Sequence, residues 1–188
     1  MTSDLRDRKA TERARLLAAR RAVPASVRSL EATMLARHVA ALDVSADQTV
    51  CAYVPVGSEP GSVEMLSALP GRVLLPVVTG LEPLEWALFT GVDSLRPGPL
   101  KLLEPTGPRL GPSAIREASL ILVPALAVDR SGVRLGRGAG HYDRSLAQVK
   151  APLVAVIRDS EFVDSLPGEP HDVRMTGVLT PSVGLRWL

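Results

Sequence analysis

Four short apolar runs, Val50–Val56, Val73–Val78, Leu120–Val123 and Leu153–Ile157, do most to limit what this chain can fold into. They are rich in Val, Leu and Ile and are bounded by Pro or Gly. Runs of this kind suit strands buried on both faces, as in a parallel sheet covered by helices. Segments 61–68, 112–118 and 140–149 read as the intervening helices, and Leu84–Phe89, which alternates less cleanly, reads as an edge strand or hairpin arm. Upstream, the pattern predicts a helix over 3–22, with Ser3 or Asp4 as N-cap and Pro24 closing it, and a second helix over 26–42. Between Pro97 and Pro112, eight of sixteen positions are Pro or Gly, which predicts a loop. Strands alternating with helices give an α/β layered fold with an open sheet.

The length of 188 residues suits one domain over 1–188 with a proper core. Apolar residues make up 46% and charged ones 22%, as in an ordinary globular protein, but aromatics are only 3%, so the core must be Leu, Val and Ala. A net charge of +2 does not by itself argue for nucleic acid. The lone Cys51 excludes an intrachain disulfide and a cysteine zinc site, and reads as a small buried apolar residue. No apolar stretch approaches the ~18 residues of a membrane helix. Asp4, Asp7 and Glu12 do not suit a transit peptide and no apolar signal core is present, so a cytoplasmic location is expected.

The stretch Arg134 to Leu146, RLGRGAGHYDRSL, carries the clearest chemistry. Gly136, Gly138 and Gly140 alternate with Arg137, Ala139 and His141, and Tyr142, Asp143 and Arg144 follow. Alternating glycines permit left-handed turns whose N–H groups converge on an anion. Arginines supply forked donors for phosphate oxygens, and an acid next to them suits a divalent cation on the same phosphates. The spacing is neither the Rossmann fingerprint nor the P-loop. Four arginines within fifteen residues (Arg130, Arg134, Arg137, Arg144) favour a nucleotide or phosphate site over a surface turn. Its place after the run Leu120–Val123 agrees, because open α/β sheets bind ligands beyond the carboxyl ends of their strands.

Other residues leave alternatives open. Lys9, Arg13 and Arg20 share a roughly 40° arc of the first helix, forming either a solvated face or a second phosphate contact. Glu59 either hydrogen-bonds the amino and ring N–H groups of a planar heterocycle or caps the helix after Pro60. Asp172, beside His171 in PGEPHDVR, either joins Asp143 at Mg²⁺ or serves as a turn residue, and spacing alone favours the turn. His141 is either an acid–base group or, more commonly in such a loop, a donor to phosphate. No nucleophile elbow is visible, so an enzyme here works by positioning and charge, as phosphoryl transfer requires.

Taken together, these residues resemble the 5-formyltetrahydrofolate cyclo-ligase (5,10-methenyltetrahydrofolate synthetase) family. Its N-terminal Lys-x3-Arg is matched by Lys9 and Arg13, and its pterin-contacting Glu by Glu59. The signature V-P-G-x-A-F-D-x-x-G-x-R-L-G-x-G-x-G-Y-Y-D-R is matched by VPALAVDRSGVRLGRGAGHYDR, from Val123 to Arg144. A P-x-x-x-H-D segment is matched by Pro167 to Asp172. The resemblance spans nearly the whole chain.

It implies a three-layer, open, mostly parallel sheet with helices on both faces, of the sugar-isomerase/CoA-transferase-like type. It also implies that ATP and Mg²⁺ are used to convert 5-formyltetrahydrofolate to 5,10-methenyltetrahydrofolate, with ADP and phosphate released after phosphorylation of the formyl oxygen. ATP would be bound by Lys9, Arg13, Arg134, Gly136, Arg137, Gly138, Ala139, Gly140 and Tyr142. The folate would be bordered by Val54, Glu59, Arg137 and His141. Arg137 and Asp143 would be catalytic, and Asp143 and Asp172 would hold Mg²⁺. A monomer is expected, with no nucleic acid or membrane partner. The chain departs from the family at His141 (a Tyr), Ala125 (a Gly), Ala139 (often a Gly), Val128 (an aromatic) and Thr176 (often an Asp); His141 and Val128 bear on pterin stacking and Ala139 on loop geometry. These departures motivate the alternative of a non-catalytic folate- or nucleotide-binding paralogue. An RNA-binding module ranks below both, given the weak charge and few aromatics.

Overall fold

The computed structural model describes residues 3–80, 82–98, 102–147, 149–170 and 172–188; His171 and positions 99–101 and 148 lie outside them. In chain order the elements are α1 (Ser3–Ala22), α2 (Ala25–Ala40), β1 (Thr49–Cys51), α3 (Val63–Ser67), β2 (Arg72–Val77), β3 (Glu85–Leu88), β4 (Leu95–Pro97), β5 (Leu103–Pro105), β6 (Ala118–Pro124), β7 (Ala127–Asp129), β8 (Arg134–Leu135), α4 (His141–Leu146), β9 (Leu153–Val156), β10 (Phe162–Val163), β11 (Gly177–Thr180) and β12 (Gly184–Trp187). The main sheet has the order β12-β11-β9-β6-β1-β2-β3. Its five inner strands are parallel, and antiparallel β12 and β3 form the edges. This is the α/β, mostly parallel sheet expected.

The strand sequences are continuously apolar because alternate residues enter two different cores. Val73 and Leu75 of β2, Leu120 and Leu122 of β6, and Val154 and Val156 of β9 face α2 and α3, which contribute Leu35, Val39, Met65 and Leu66. Leu74, Ile121, Leu153 and Ala155 face the other way, onto Ala114, Ile115 and Leu146. Helices therefore cover both faces. The expected helix over 112–118 is a 3₁₀ segment, Pro112–Glu117, and the one over 140–149 ends at Leu146. Helix α1 does not pack on the main sheet; it packs Leu16 and Leu17 on the small sheet β10-β7-β8, against Leu126, Ala127, Val133 and Leu135.

Strand pairing also corrects two readings. The run Val50–Val56 is ladder only to Cys51; Ala52 adds one bond to the Leu74 carbonyl (2.9 Å), and residues up to Val56 then peel away from the sheet. Pro55 lacks the N–H a ladder needs. The Pro- and Gly-rich stretch contains β5, which pairs antiparallel with β4 and sits over the end of β2, where the Glu104 carboxylate accepts the Val78 N–H (3.0 Å).

Candidate functional site

A cleft of about 330 Å³ opens where β1, β2 and β6 end. The peeled segment after β1 supplies Tyr53, Val54 and Val56, β2 supplies Pro76 and Val78, and β6 leads into Pro124 and Ala125. The facing wall is Arg134 together with residues 136–143. The cleft thus lies beyond the carboxyl ends of parallel strands, as open α/β sheets require. One side is apolar; the other is the glycine–arginine loop.

The loop turns sharply at Gly138 (φ 99°) and Gly140 (φ 72°), on either side of Ala139. The left-handed conformations fall on residues without a Cβ. Its arginines fold back on it. Arg134 donates from Nη1 to the Pro124 carbonyl (3.2 Å), pairs through Nη2 with Asp143, and lies 5.9 Å from the Tyr142 ring centroid. Arg137 pairs through Nε with Glu59 (3.0 Å) and donates to the Val56 carbonyl (3.3 Å), so it joins the loop to the β1 side. Arg13 of α1 donates from Nε to the Gly136 carbonyl (3.0 Å), and Arg144 donates to the Ala139 carbonyl (3.3 Å) beside His141 Nδ1 (3.2 Å). Two acids therefore match two of the four guanidiniums. Among the described residues, Arg13 and Arg144 touch the loop with no carboxylate partner.

The cleft holds two buried phenols, Tyr53 on the apolar side and Tyr142 on the loop side. The hydroxyls of Tyr53 and Tyr142 have no hydrogen-bond partner among the described residues. Burial first, and then the Glu59 carboxylate, push both far above the ordinary phenol value, so they are neutral groups ready to donate or accept. Glu59 binds two groups of the protein itself. Its Oε2 accepts the Val56 N–H (2.9 Å), closing the turn after Val54, while Oε1 holds Arg137. Glu59 does not cap the helix after Pro60, which begins at Val63 with Ser62 as N-cap.

Not every expected residue meets in the cleft. Lys9 and Asp172 are brought to each other: Lys9 Nζ lies 3.1 Å from Asp172 Oδ2, which also accepts the Glu169 N–H (2.8 Å), and neither side chain borders the cleft. Arg20 belongs to no solvated face. It is 1% exposed and pairs with Glu161 at 2.6 and 2.7 Å. Arg130 pairs with Asp164 out in solvent (2.7 Å), away from the loop. Val128 is a buried core residue of β7 rather than a wall of the cleft, and Thr176 ties the start of β11 to Leu153 (2.8 and 3.1 Å). No group of three or more His, Cys, Asp or Glu able to hold a metal occurs among the described residues. An exposed carboxylate at Asp143 on the rim still fits Mg²⁺, which typically takes one or two carboxylates plus phosphate oxygens.

From sequence, Tyr53, Ala125 and Asp129 carry no site role. The first two follow strand ends, which is the signal that would have found them. Asp129, 3% exposed, lies inside the signature; its Oδ1 accepts from the Ser131 N–H and hydroxyl and the Val133 N–H, and its Oδ2 from the Leu166 N–H, all at 2.8–3.0 Å. It builds the hairpin that aims the glycine loop.

Comparison with known proteins agrees with this geometry. The 5-formyltetrahydrofolate cyclo-ligase family model matches residues 6–181. A 5-formyltetrahydrofolate cyclo-ligase of Mycolicibacterium smegmatis is 51% identical, covering 92% of this chain and 93% of that one. A 5,10-methenyltetrahydrofolate synthetase from Aquifex aeolicus superposes with a TM-score of 0.79 at 26% identity, over 96% of this chain and 92% of that one. Another, from Mycoplasma pneumoniae, shares the fold with a TM-score of 0.70 at 20% identity, over 90% and 96% of the two chains. The chain belongs to the 5-formyltetrahydrofolate cyclo-ligase family and is an enzyme of that kind.

Proposed function

We propose that this enzyme converts 5-formyltetrahydrofolate and ATP to 5,10-methenyltetrahydrofolate, ADP and phosphate, with Mg²⁺, through phosphorylation of the formyl oxygen. The observation that carries the reading is one cleft with two unlike halves, an apolar wall ending at Glu59 and the glycine–arginine loop, with Arg137 bonded to both and Arg13 and Arg144 holding the loop's carbonyls from outside the cleft. ATP phosphates lie along Gly136, Gly138, Ala139 and Gly140, with Arg13, Arg134 and Tyr142 around them and Lys9 behind. The folate ring lies against Val54, with Glu59, Arg137 and His141 at its edge.

In the reaction the formyl oxygen attacks the γ-phosphorus and the bond to ADP breaks. The N10 lone pair then attacks the activated formyl carbon, N10 loses its proton, and phosphate leaves with the former formyl oxygen. Arg137 and Arg13 offset charge as the phosphoryl group moves, and Arg137 also sets the distance between the two substrates. Asp143 would hold Mg²⁺, which when bound supplies charge neutralisation on the phosphate oxygens, and Asp172, bonded to Lys9 outside the cleft, would join it only once that pair opens. The buried, neutral phenols of Tyr53 and Tyr142 keep the reacting carbon away from bulk water. The reading takes the chain as a single domain over 1–188 that works as a monomer.

The test is product absorbance from purified protein, omitting each component in turn. Methenyl product is expected only when 5-formyltetrahydrofolate, ATP and Mg²⁺ are all present. Product at an equal rate without ATP, or none from folded protein, would overturn the reading.

A further inference from the structure

Arg20 is the most buried cation bordering the cleft, and the reaction as written gives it nothing to do. Its Nε and Nη2 donate to the two Glu161 oxygens, and Nη2 also donates to the Ala125 carbonyl (2.6 Å). Its Nη1 is buried with no partner among the described residues. A guanidinium has five donors in a rigid fork, and buried donors in native proteins are nearly always bonded to something. Two N–H groups of a residue on the cleft wall therefore lack an acceptor that the chain supplies.

Charge counting narrows what that acceptor is. Glu161 also lies 3.6 Å from Arg158 Nη1, and Arg158 Nε donates to Glu31 (2.8 Å). Two guanidiniums and two carboxylates make the quartet neutral, with Glu31 at its partly exposed end. A phosphate placed there would be an unmatched charge in a desolvated site, whereas Arg13 and Arg144 offer it two unmatched cations at the loop. The quartet suits a neutral carbonyl oxygen. Arg158 Nη1 also donates to the Ser58 carbonyl (3.0 Å), which ties the quartet to the turn that carries Glu59. One rigid unit thus presents an acceptor, Glu59, and a donor, Arg20, to the same cleft. The ring edge of a reduced pterin has the complementary pattern, with amino and ring N–H donors beside a lactam carbonyl.

We propose that Arg20 is a substrate-binding residue whose Nη1 donates to the lactam carbonyl of the pterin, with Glu161 as the residue that positions it. The inference rests on the folate reading above. It is tested by binding rather than by turnover, using 5-formyltetrahydrofolate and its 4-amino-4-deoxy counterpart, in which the carbonyl is replaced. The parent protein is expected to bind the 4-oxo compound at least about tenfold more tightly, since a site built to bond a carbonyl rejects a ligand without one. Arg20→Lys keeps the charge against Glu161 but shortens the reach, and is expected to bring the two affinities within about threefold, with ATP affinity unchanged. The paired variant Arg20→Gln with Glu161→Gln removes both charges and is expected to do the same where Lys does not fold. Equal binding of the two ligands by the parent overturns the inference, whether or not the variants fold, and so does an undiminished preference in either folded variant. Failure of the folate reading itself looks different: the parent then binds neither pterin.

Discussion

The two sides of the cleft use arginine in opposite ways. Below the floor, Arg20 and Arg158 are almost wholly buried and are matched by Glu161 and Glu31. On the loop, Arg134 and Arg137 have acids while Arg13 and Arg144 hold only backbone carbonyls and an imidazole. A matched, buried guanidinium fixes the positions of chain segments; an unmatched one beside solvent is left to meet an anion. Residue type alone does not separate the two. What separates them is how many carboxylates stand within reach and how much water is left.

The largest effect on the buried side is expected at Glu161. Glu161→Gln leaves two buried guanidiniums facing one carboxylate, and urea unfolding should register a loss of about 3–5 kcal/mol. On the loop, Asp143→Asn should do the reverse. Its partner pair is exposed on the aspartate side, so stability should move by less than about 1 kcal/mol. The kcat should fall about 10²–10³-fold, the size of effect seen when one group stabilising developing charge is removed. A large stability loss in Asp143→Asn, with activity kept, would put the loop in the same structural class as the floor.

The buried side also limits alkaline stability. Burial pushes the Cys51 thiol from 9.0 up to about 12. The unfolded thiol loses its proton first, so this contribution is fully present below pH 9 and is lost as pH rises toward about 12. The slope over that window is about 1.4 kcal/mol per pH unit. Unfolding curves for Cys51→Ala should be flatter across it, leaving the later fall from Tyr53 and Tyr142, which begins above the ordinary phenol value of 10.0. An unchanged slope would show that the thiol is reached by water in the folded protein.

Much of this was legible in the amino-acid order. The buried parallel strands are written in local composition, because a strand covered on both faces must be apolar at every position, and β2, β6 and β9 fall where their runs do. The glycine–arginine loop was equally plain, since alternating glycines have few other uses. What stayed hidden were partnerships across long stretches of chain. Arg20 and Glu161 are 141 positions apart, and nothing local tells a helix arginine that is buried from one in solvent. Lys9 and Asp172 were both expected near phosphate and metal, and their pairing with each other came only from the fold. Strands β4, β5, β7, β8, β10, β11 and β12 were missed because two to four residues are too few to show a period.

On the proposed function, the guanidiniums that touch the loop without an acid partner, Arg13 of α1 and Arg144, are the phosphate contacts. The most direct measurement is ATP affinity by titration calorimetry for the parent, Arg13→Gln and Arg130→Gln. Removing one charge-assisted phosphate contact should weaken ATP binding about tenfold in Arg13→Gln. Arg130, already paired with Asp164 in solvent, should change it by less than about twofold. Equal ATP affinity in the parent and Arg13→Gln would contradict the claim.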